Sequence, residues 1–237
     1  MKAPTREEPK IVAAAERQMQ AWARAAEIAD RKPSREEVAR AARDVRPYLT
    51  ISREEGAGGS EVAESVGRNL GWEVLDRNLL DRVAERFDLP RPLLEVVDET
   101  GGNWLYDVLG TFMDRKIVAS EKYVVHLGCV ILATARQASL VLVGRGAQFL
   151  LPREKGLAVR IVAPVEHRIQ RVMQSQGLAA EQARRLMQET DQGRRQFVTR
   201  YFHHDIADPQ LYDLVINTQR LGVAGAAEQI VAAIGRL

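Results

Sequence analysis

A glycine-rich segment carries the clearest chemistry in this sequence, because it can wrap backbone N–H groups around a phosphate. It follows a short β-prone run at residues 48–52 and leads directly into a helical pattern that ends at Gly71. Glycine turns let the backbone approach an anion closely, and the positive end of the helix dipole adds a favourable partial charge. The residues predicted to bind phosphate are Gly56, Ala57, Gly58, Gly59, Ser60 and Glu61.

This segment departs from the common phosphate-loop motif, in which a glycine precedes four residues and then Gly-Lys-Ser/Thr. Arg53 stands at the first glycine position, and Gly59 stands where the motif has its lysine. Arg53 could replace that lysine by reaching the phosphates, or it could pair with Glu54 or Asp76 and only hold the loop. By itself, the segment is equally consistent with a flexible turn between a strand and a helix.

Ser60 and Glu61 each allow two interpretations. The Ser60 hydroxyl could bind Mg²⁺ or donate to a phosphate, although serine is also a favoured N-cap residue. The Glu61 carboxylate would repel a phosphate unless Mg²⁺ lay between them. An acidic residue in the first turn of a helix also interacts favourably with the helix dipole, and this simpler interpretation is slightly preferred for Glu61.

Two more polar residues directly follow apolar runs. Arg145 follows residues 139–143, and Asp76 follows residues 72–75. Ligands of parallel sheets bind outside the carboxyl ends of the strands, so both residues are candidates for a ligand site. Alternatively, Arg145 is exposed in a tight turn, and Asp76 caps a helix that begins near Asn78.

Arginines cluster in a long helical stretch from about residue 179 to residue 203. A guanidinium group can give a phosphate two parallel hydrogen bonds, and it stays charged in proteins. Arg194 and Arg195 are therefore candidates to bind a phosphate. The alternative is a solvated helix face, on which these arginines pair with acidic residues at helical spacing.

Apolar runs and helical patterns alternate along the chain, and they predict the elements that position these groups. Predicted strands cover residues 48–52, 72–75, 139–143, 157–162 and 212–216. Strands that alternate with helices imply an α/β fold with a parallel sheet of about five strands covered on both faces. Residues 1–45 are expected to form an N-terminal helical extension, and residues 46–237 the main domain.

Composition limits the classes of function. The 34 basic residues nearly balance the 32 acidic ones, so binding to nucleic acid is not expected. Apolar runs are too short for a transmembrane helix, and the charged start of the chain does not resemble a signal peptide. The single cysteine, Cys129, fits a reducing compartment, so we expect a cytoplasmic protein without membrane contact. The apolar face through Trp22 could pack on a second subunit, giving a homo-oligomer through the N-terminal helices.

Three segments together resemble the cytidylate kinase-like proteins, relatives of bacterial CMP kinase among the P-loop nucleoside monophosphate kinases. The first runs from Thr50 through Glu61 and continues at Leu75-Asp76-Arg77. The second runs from Val141 to Ala147 and ends in Leu150-Leu151-Pro152. The third comprises Arg160 to Pro164, Arg168, Arg171, Asp191 to Arg195, Asp208-Pro209 and Tyr212 to Thr218. The family also lacks the Walker lysine, and the N-terminal extension lies outside the resemblance.

The resemblance implies a P-loop NTPase-type sheet, ATP and Mg²⁺, and phosphoryl transfer to CMP or a related pyrimidine nucleotide. It also implies a helical acceptor-binding insert at 77–137 and a lid at 179–208 that closes with arginines. Acceptor binding then falls to Asp76 and Arg145, and the predicted catalytic residues are Arg53, Arg194 and Arg195. A second interpretation is a nucleotide-binding regulatory or partner-binding module without turnover, because the phosphate loop is weakened.

Overall fold

A fully parallel sheet organises the computed structural model, which describes residues 45–76 and 122–236. In this part of the chain the sheet has 5 strands in the order β2-β3-β1-β4-β5. The strands are β1 (Tyr48–Arg53), β2 (Glu73–Leu75), β3 (Leu140–Val143), β4 (Gly156–Val162) and β5 (Leu214–Asn217). The α/β prediction with about five parallel strands is therefore confirmed.

Helices connect and cover these strands. They are α1 (Gly59–Leu70), α2 (Lys122–Gln137), α3 (Val165–Gln176), α4 (Ala180–Phe202) and α5 (Thr218–Ile234). Short 3-10 helices span Ala147–Phe149, Arg153–Lys155 and Pro209–Leu211. Among the described helices, none is both long enough and apolar enough to cross a membrane.

The central strand β1 shows that both faces of the sheet are covered. Its residues from Tyr48 to Ser52 are all buried, and successive side chains of a strand point to opposite faces. On one face, Ile51 of β1 packs in a cluster with Val62 and Val66 of α1 and Ile230 of α5. This burial anchors α1 and fixes the position of the loop that precedes it.

The carboxyl ends of β1 and β3 meet at the point where the strand order reverses. β1 lies between β3 and β4. The chain that leaves β1 continues to β2, on the β3 side of the sheet, whereas the chain that leaves β3 continues to β4, on the opposite side of β1. Here the Gly144 N–H donates to the Ile51 carbonyl at 3.0 Å. A side chain at Gly144 would collide with the Arg53 guanidinium. Parallel sheets bind ligands at such crevices, and this one brings together two predicted site segments.

The structure corrects several predicted details. The last helix is preceded by an extra helical turn that begins at Thr218, where the Asn217 side chain caps it by accepting from the Gln219 N–H at 3.0 Å. The backbone then breaks at Gly222, and the helix resumes at the predicted position near residue 223. Ser60 does not cap α1; the N-cap is Gly58, which adopts a left-handed conformation. The last strand begins at Leu214, because Tyr212 and Asp213 make tertiary hydrogen bonds before it.

Two predicted regions fall largely outside the described residues. They are the N-terminal extension at 1–45, with its role in a homo-oligomer, and the part of the acceptor-binding insert from residue 77 to residue 121. The remainder of the insert forms α2, and the predicted lid corresponds to α4 and the turn after it. The structure of the N-terminal extension and of residues 77–121 of the insert stays a prediction.

Candidate active site

The loop between β1 and α1 has the backbone geometry of an anion cradle. Gly56 and Gly58 have φ angles of 77° and 82°, a region that side chains with a Cβ rarely adopt. A Cβ at Gly56 would also lie 2.7 Å from the Arg168 carbonyl oxygen. Since the N-cap Gly58 has no side chain, the first N–H groups of α1 remain directed at the space in front of the helix.

A small cavity of about 110 Å³ lies in front of this helix end. Of the predicted phosphate-binding residues, five line it: Gly56, Gly58, Gly59, Ser60 and Glu61. Ala57 does not; it is fully buried, and its carbonyl accepts a hydrogen bond from the Thr218 hydroxyl at 2.7 Å. The role that the structure gives Ala57 is to hold the loop from beneath.

A larger cavity of about 320 Å³ adjoins the first. Its walls come from the end of β1, the turn after β3 and one face of α4. Arg53 and Arg194 line both cavities. Two ligands seated in the two cavities would therefore share these two guanidinium groups, which is the central geometric feature of the site.

Arg194 is tied tightly to the phosphate loop. Its guanidinium lies 2.6 Å from the Glu55 carboxylate and 3.4 Å from that of Asp191, and it donates to the Arg53 carbonyl at 3.2 Å. Its side chain is only 18% exposed. The predicted lid helix α4 is thus already docked on the loop through this arginine.

Arg195 faces elsewhere. Its side chain is 61% exposed and lies 3.7 Å from Asp205, and it lines neither of the two cavities. Adjacent residues of a helix point about 100° apart, so only one of the pair can face the loop. Of the two predicted catalytic arginines of α4, the structure brings only Arg194 to the site.

The turn after β3 places Arg145 on the wall of the larger cavity. This arginine has a left-handed φ of 54°, a conformation that costs energy without glycine and that often marks functional sites. Its guanidinium lies 5.0 Å from the centre of the Phe197 ring. Asp76, the other predicted acceptor residue, is exposed at the end of β2 and lines neither cavity.

Sequence reasoning missed a network of carboxylates and arginines beneath the loop. The Asp191 carboxylate accepts from the Glu55 N–H at 2.8 Å and from Arg168 at 2.6 Å. Glu54 lies 3.8 Å from Arg160 and 3.6 Å from Arg168. Pairing of Asp191 with an arginine of its own helix was an alternative that the sequence offered, and Asp191 does lie 3.4 Å from Arg194. The contacts of Asp191 with the loop and with Arg168 were not predicted.

Two oxygen ligands for a metal lie in the loop cavity, and one of them, Glu61, is paired with an arginine. In the described parts of the chain, no group of three or more His, Cys, Asp or Glu side chains is arranged to hold a metal ion. The Ser60 hydroxyl and the Glu61 carboxylate do line the loop cavity, with Glu61 2.7 Å from Arg171. Mg²⁺ usually keeps several waters and takes one or two protein ligands plus phosphates, so these residues fit a Mg²⁺ that arrives with a phosphate ligand.

A family model described as the cytidylate kinase-like family matches residues 48–220, which is most of the chain. The chain belongs to the cytidylate kinase-like family. This membership confirms the resemblance seen in the sequence, and with the parallel sheet it confirms an α/β fold of the P-loop NTPase type. The matched residues contain both cavities and all the arginines that line them.

Individual relatives are more distant. The cytidylate kinase of Thermococcus sibiricus is 33% identical over 106 residues, which are 45% of this chain and 54% of that protein. The cytidylate kinase of Methanopyrus kandleri is 34% identical over 95 residues, 36% of this chain and 49% of that protein. The chain thus spans about half the length of these curated relatives.

A solved structure of an uncharacterized protein from Eubacterium ventriosum matches with a TM-score of 0.63 and 21% identity. The match covers 81% of this chain and 100% of the other. At this identity the likeness shows a shared fold.

Proposed function

We propose that this protein is a nucleoside monophosphate kinase that transfers a phosphoryl group from ATP to CMP or a related pyrimidine nucleotide. The observation that carries the proposal is the pair of adjoining cavities that share Arg53 and Arg194. One cavity faces a helix N-terminus suited to the phosphates of ATP, and the other has room for one small ligand. Membership of the cytidylate kinase-like family supports this assignment.

Phosphoryl transfer asks the protein mainly for positioning, charge neutralisation and exclusion of water. In the proposed reaction, an oxygen of the acceptor phosphate attacks the γ-phosphorus of ATP, the bond from that phosphorus to the bridging oxygen breaks, and ADP leaves. Arg53 and Arg194 lie between the two cavities, so they are placed to stabilise the charge that develops there. Arg145 is placed to hold the acceptor in the larger cavity.

The missing Walker lysine needs a replacement, and besides Arg194 two more arginines line the loop cavity where it would act. Arg53 lies directly against the start of α1: a Cβ added at Gly59 would be 2.5 Å from the Cβ of Arg53. Arg171 approaches from α3, and its guanidinium would lie 3.2 Å from a Cβ at Gly58. Mg²⁺ bound with ATP would add positive charge, and Ser60 and Glu61 are the residues that could hold it.

A second candidate is a nucleotide-binding module without turnover. It is favoured by one observation, which is that two arginines lining the loop cavity are held by carboxylates. Arg194 lies 2.6 Å from Glu55, and Arg171 lies 2.7 Å from Glu61. A kinase must exchange these partners for phosphates during each cycle. A regulatory module would need to release them only on binding.

The experiment that separates these candidates measures ADP formation from ATP and Mg²⁺ with CMP, dCMP, UMP, AMP or GMP supplied in turn. A reaction without acceptor serves as the control. ADP formation that depends on CMP or UMP supports the kinase. ATP binding by calorimetry, without acceptor-dependent ADP in any reaction, would instead support the module.

A further inference from the structure

A buried glutamine in the wall of the larger cavity has no role so far. Gln148 lies in the 3-10 helix Ala147–Phe149 that follows the turn after β3. It is only 7% exposed, yet it lines the 320 Å³ cavity. Within residues 45–76 and 122–236, no hydrogen bond of the Gln148 side-chain amide is found.

The Gln148 amide is not sealed in the protein interior, because its polar atoms stay accessible from the cavity. Its donors and its acceptor are therefore available to a ligand, which can replace the water that reaches them. Here the amide borders a cavity large enough for a ligand. A ligand with a matching polar edge would supply the missing partners.

The other walls of the cavity indicate what kind of ligand this is. Arg53, Arg145 and Arg194 supply positive charge suited to a phosphate. Phe197 supplies an aromatic surface on α4, four residues after the small Gly193. A ligand that satisfies all these groups has an anionic part, a flat apolar body and an uncharged hydrogen-bonding edge, which is the description of a nucleotide.

We propose that Gln148 is the residue that recognises the base of the acceptor nucleotide, through hydrogen bonds to its polar edge. This inference rests on the proposed function, since it assumes that the larger cavity holds the acceptor. A carboxamide offers one acceptor oxygen and two N–H donors. It can pair with the amino and ring-nitrogen edge of cytosine, and after a half-turn of the amide with the carbonyl and N–H edge of uracil. Gln148 can therefore pair with the base of either CMP or UMP.

The test compares ligands with and without a base on variants of Gln148. Gln148→Leu removes both hydrogen-bonding groups at similar side-chain volume, and Gln148→Met does so while keeping the length and flexibility of the side chain. Gln229→Leu is the matched control, because Gln229 is exposed on α5 and lines neither cavity. Calorimetry measures the affinities for CMP, UMP and ribose 5-phosphate, and thermal unfolding verifies that each variant is folded.

The wild-type protein and Gln229→Leu are expected to bind CMP and UMP more tightly than ribose 5-phosphate. Loss of the Gln148 amide should weaken CMP and UMP by roughly 5- to 100-fold, the range for one or two lost neutral hydrogen bonds. Ribose 5-phosphate should bind every variant with the wild-type affinity. In the ADP assay the KM for CMP should rise in the Gln148 variants while kcat is retained.

Two results overturn this inference alone. One is an unchanged CMP affinity in folded Gln148→Leu or Gln148→Met, and the other is an equal loss of CMP and ribose 5-phosphate affinity. A wild-type protein that binds neither nucleotide would overturn the proposed function as well. The two failures are thus distinguished by the wild-type titrations, before any variant is considered.

Discussion

Two neighbouring substitutions, Arg194→Ala and Arg195→Ala, should differ sharply in the size of their effects. Arg194 is 18% exposed and holds Glu55 at 2.6 Å, whereas Arg195 is 61% exposed and lies 3.7 Å from Asp205. Exposed ion pairs contribute about 0–1 kcal/mol, and hydrogen bonds to charged groups in less exposed sites contribute about 1.5–3 kcal/mol. We expect Arg194→Ala to cost about 1–2 kcal/mol after allowance for its partial exposure, which lowers the melting temperature of a chain this size by about 2–8 °C.

The effect on turnover should separate the two arginines more sharply. An arginine that stabilises the charge of a transferring phosphoryl group contributes about 10³-fold or more to kcat. We expect a loss of that size for Arg194→Ala, and a loss of less than about tenfold for Arg195→Ala, equivalent to under about 1.4 kcal/mol.

The assay is ADP formation at saturating ATP and CMP, run beside thermal unfolding so that a folding defect is recognised. The temperature is kept well below the melting point of both variants. Equal losses of kcat in the two variants would refute the assignment of Arg194, as would a folded Arg194→Ala that keeps its turnover.

Three further predictions concern other parts of the site and the sheet. Gly58→Ala and Gly71→Ala both place a Cβ at a positive φ, so each should lower the free energy of unfolding by about 1–2 kcal/mol. Open space surrounds Gly71, whereas Arg171 and Val223 lie close to Gly58. Calorimetry should show that only Gly58→Ala loses ATP affinity, and equal affinities would contradict the loop assignment. Arg145→Ala should weaken CMP binding in the same instrument and leave ATP binding intact; unchanged CMP affinity would remove Arg145 from the acceptor site. Burial raises the pKa of Glu73 above its ordinary value, so the folded state favours the protonated carboxyl and this stabilising effect is lost as pH rises through the raised pKa. Glu73→Gln should therefore raise the melting temperature at pH 7 and have little effect near pH 4, and a lower melting temperature at pH 7 would show that the ionised carboxylate is stabilising.

Local sequence patterns were sufficient to predict the sheet and the main elements. The near-continuous apolar runs at β3 and β4 are typical of strands buried on both faces, and glycine turns follow β1 and β3 directly. Arg145 could be predicted as a site residue because its position at a strand end needs no knowledge of distant contacts. Arg53 was singled out by its position in the phosphate-loop motif, and the structure then places it at the crevice between β1 and β3.

Tertiary contacts decided what local patterns left open. The choice between Arg194 and Arg195 depends on the rotation of α4 against the loop, and a helix with charges on several sides does not reveal that rotation. The link from Asp191 to the Glu55 N–H joins residues 136 positions apart. Gln148 was missed because its polarity suggests an exposed turn, and only the fold shows that it is buried beside a cavity.

Phosphorus NMR of ATP, Mg²⁺ and CMP incubated with the protein tests the central claim most directly, because it follows the transferred group itself. If the two cavities hold donor and acceptor around shared arginines, CDP and ADP should accumulate in equal amounts, and neither should form with folded Arg194→Ala at a comparable rate. ADP that accumulates with inorganic phosphate and without CDP would contradict the account, and so would a mixture that remains unchanged.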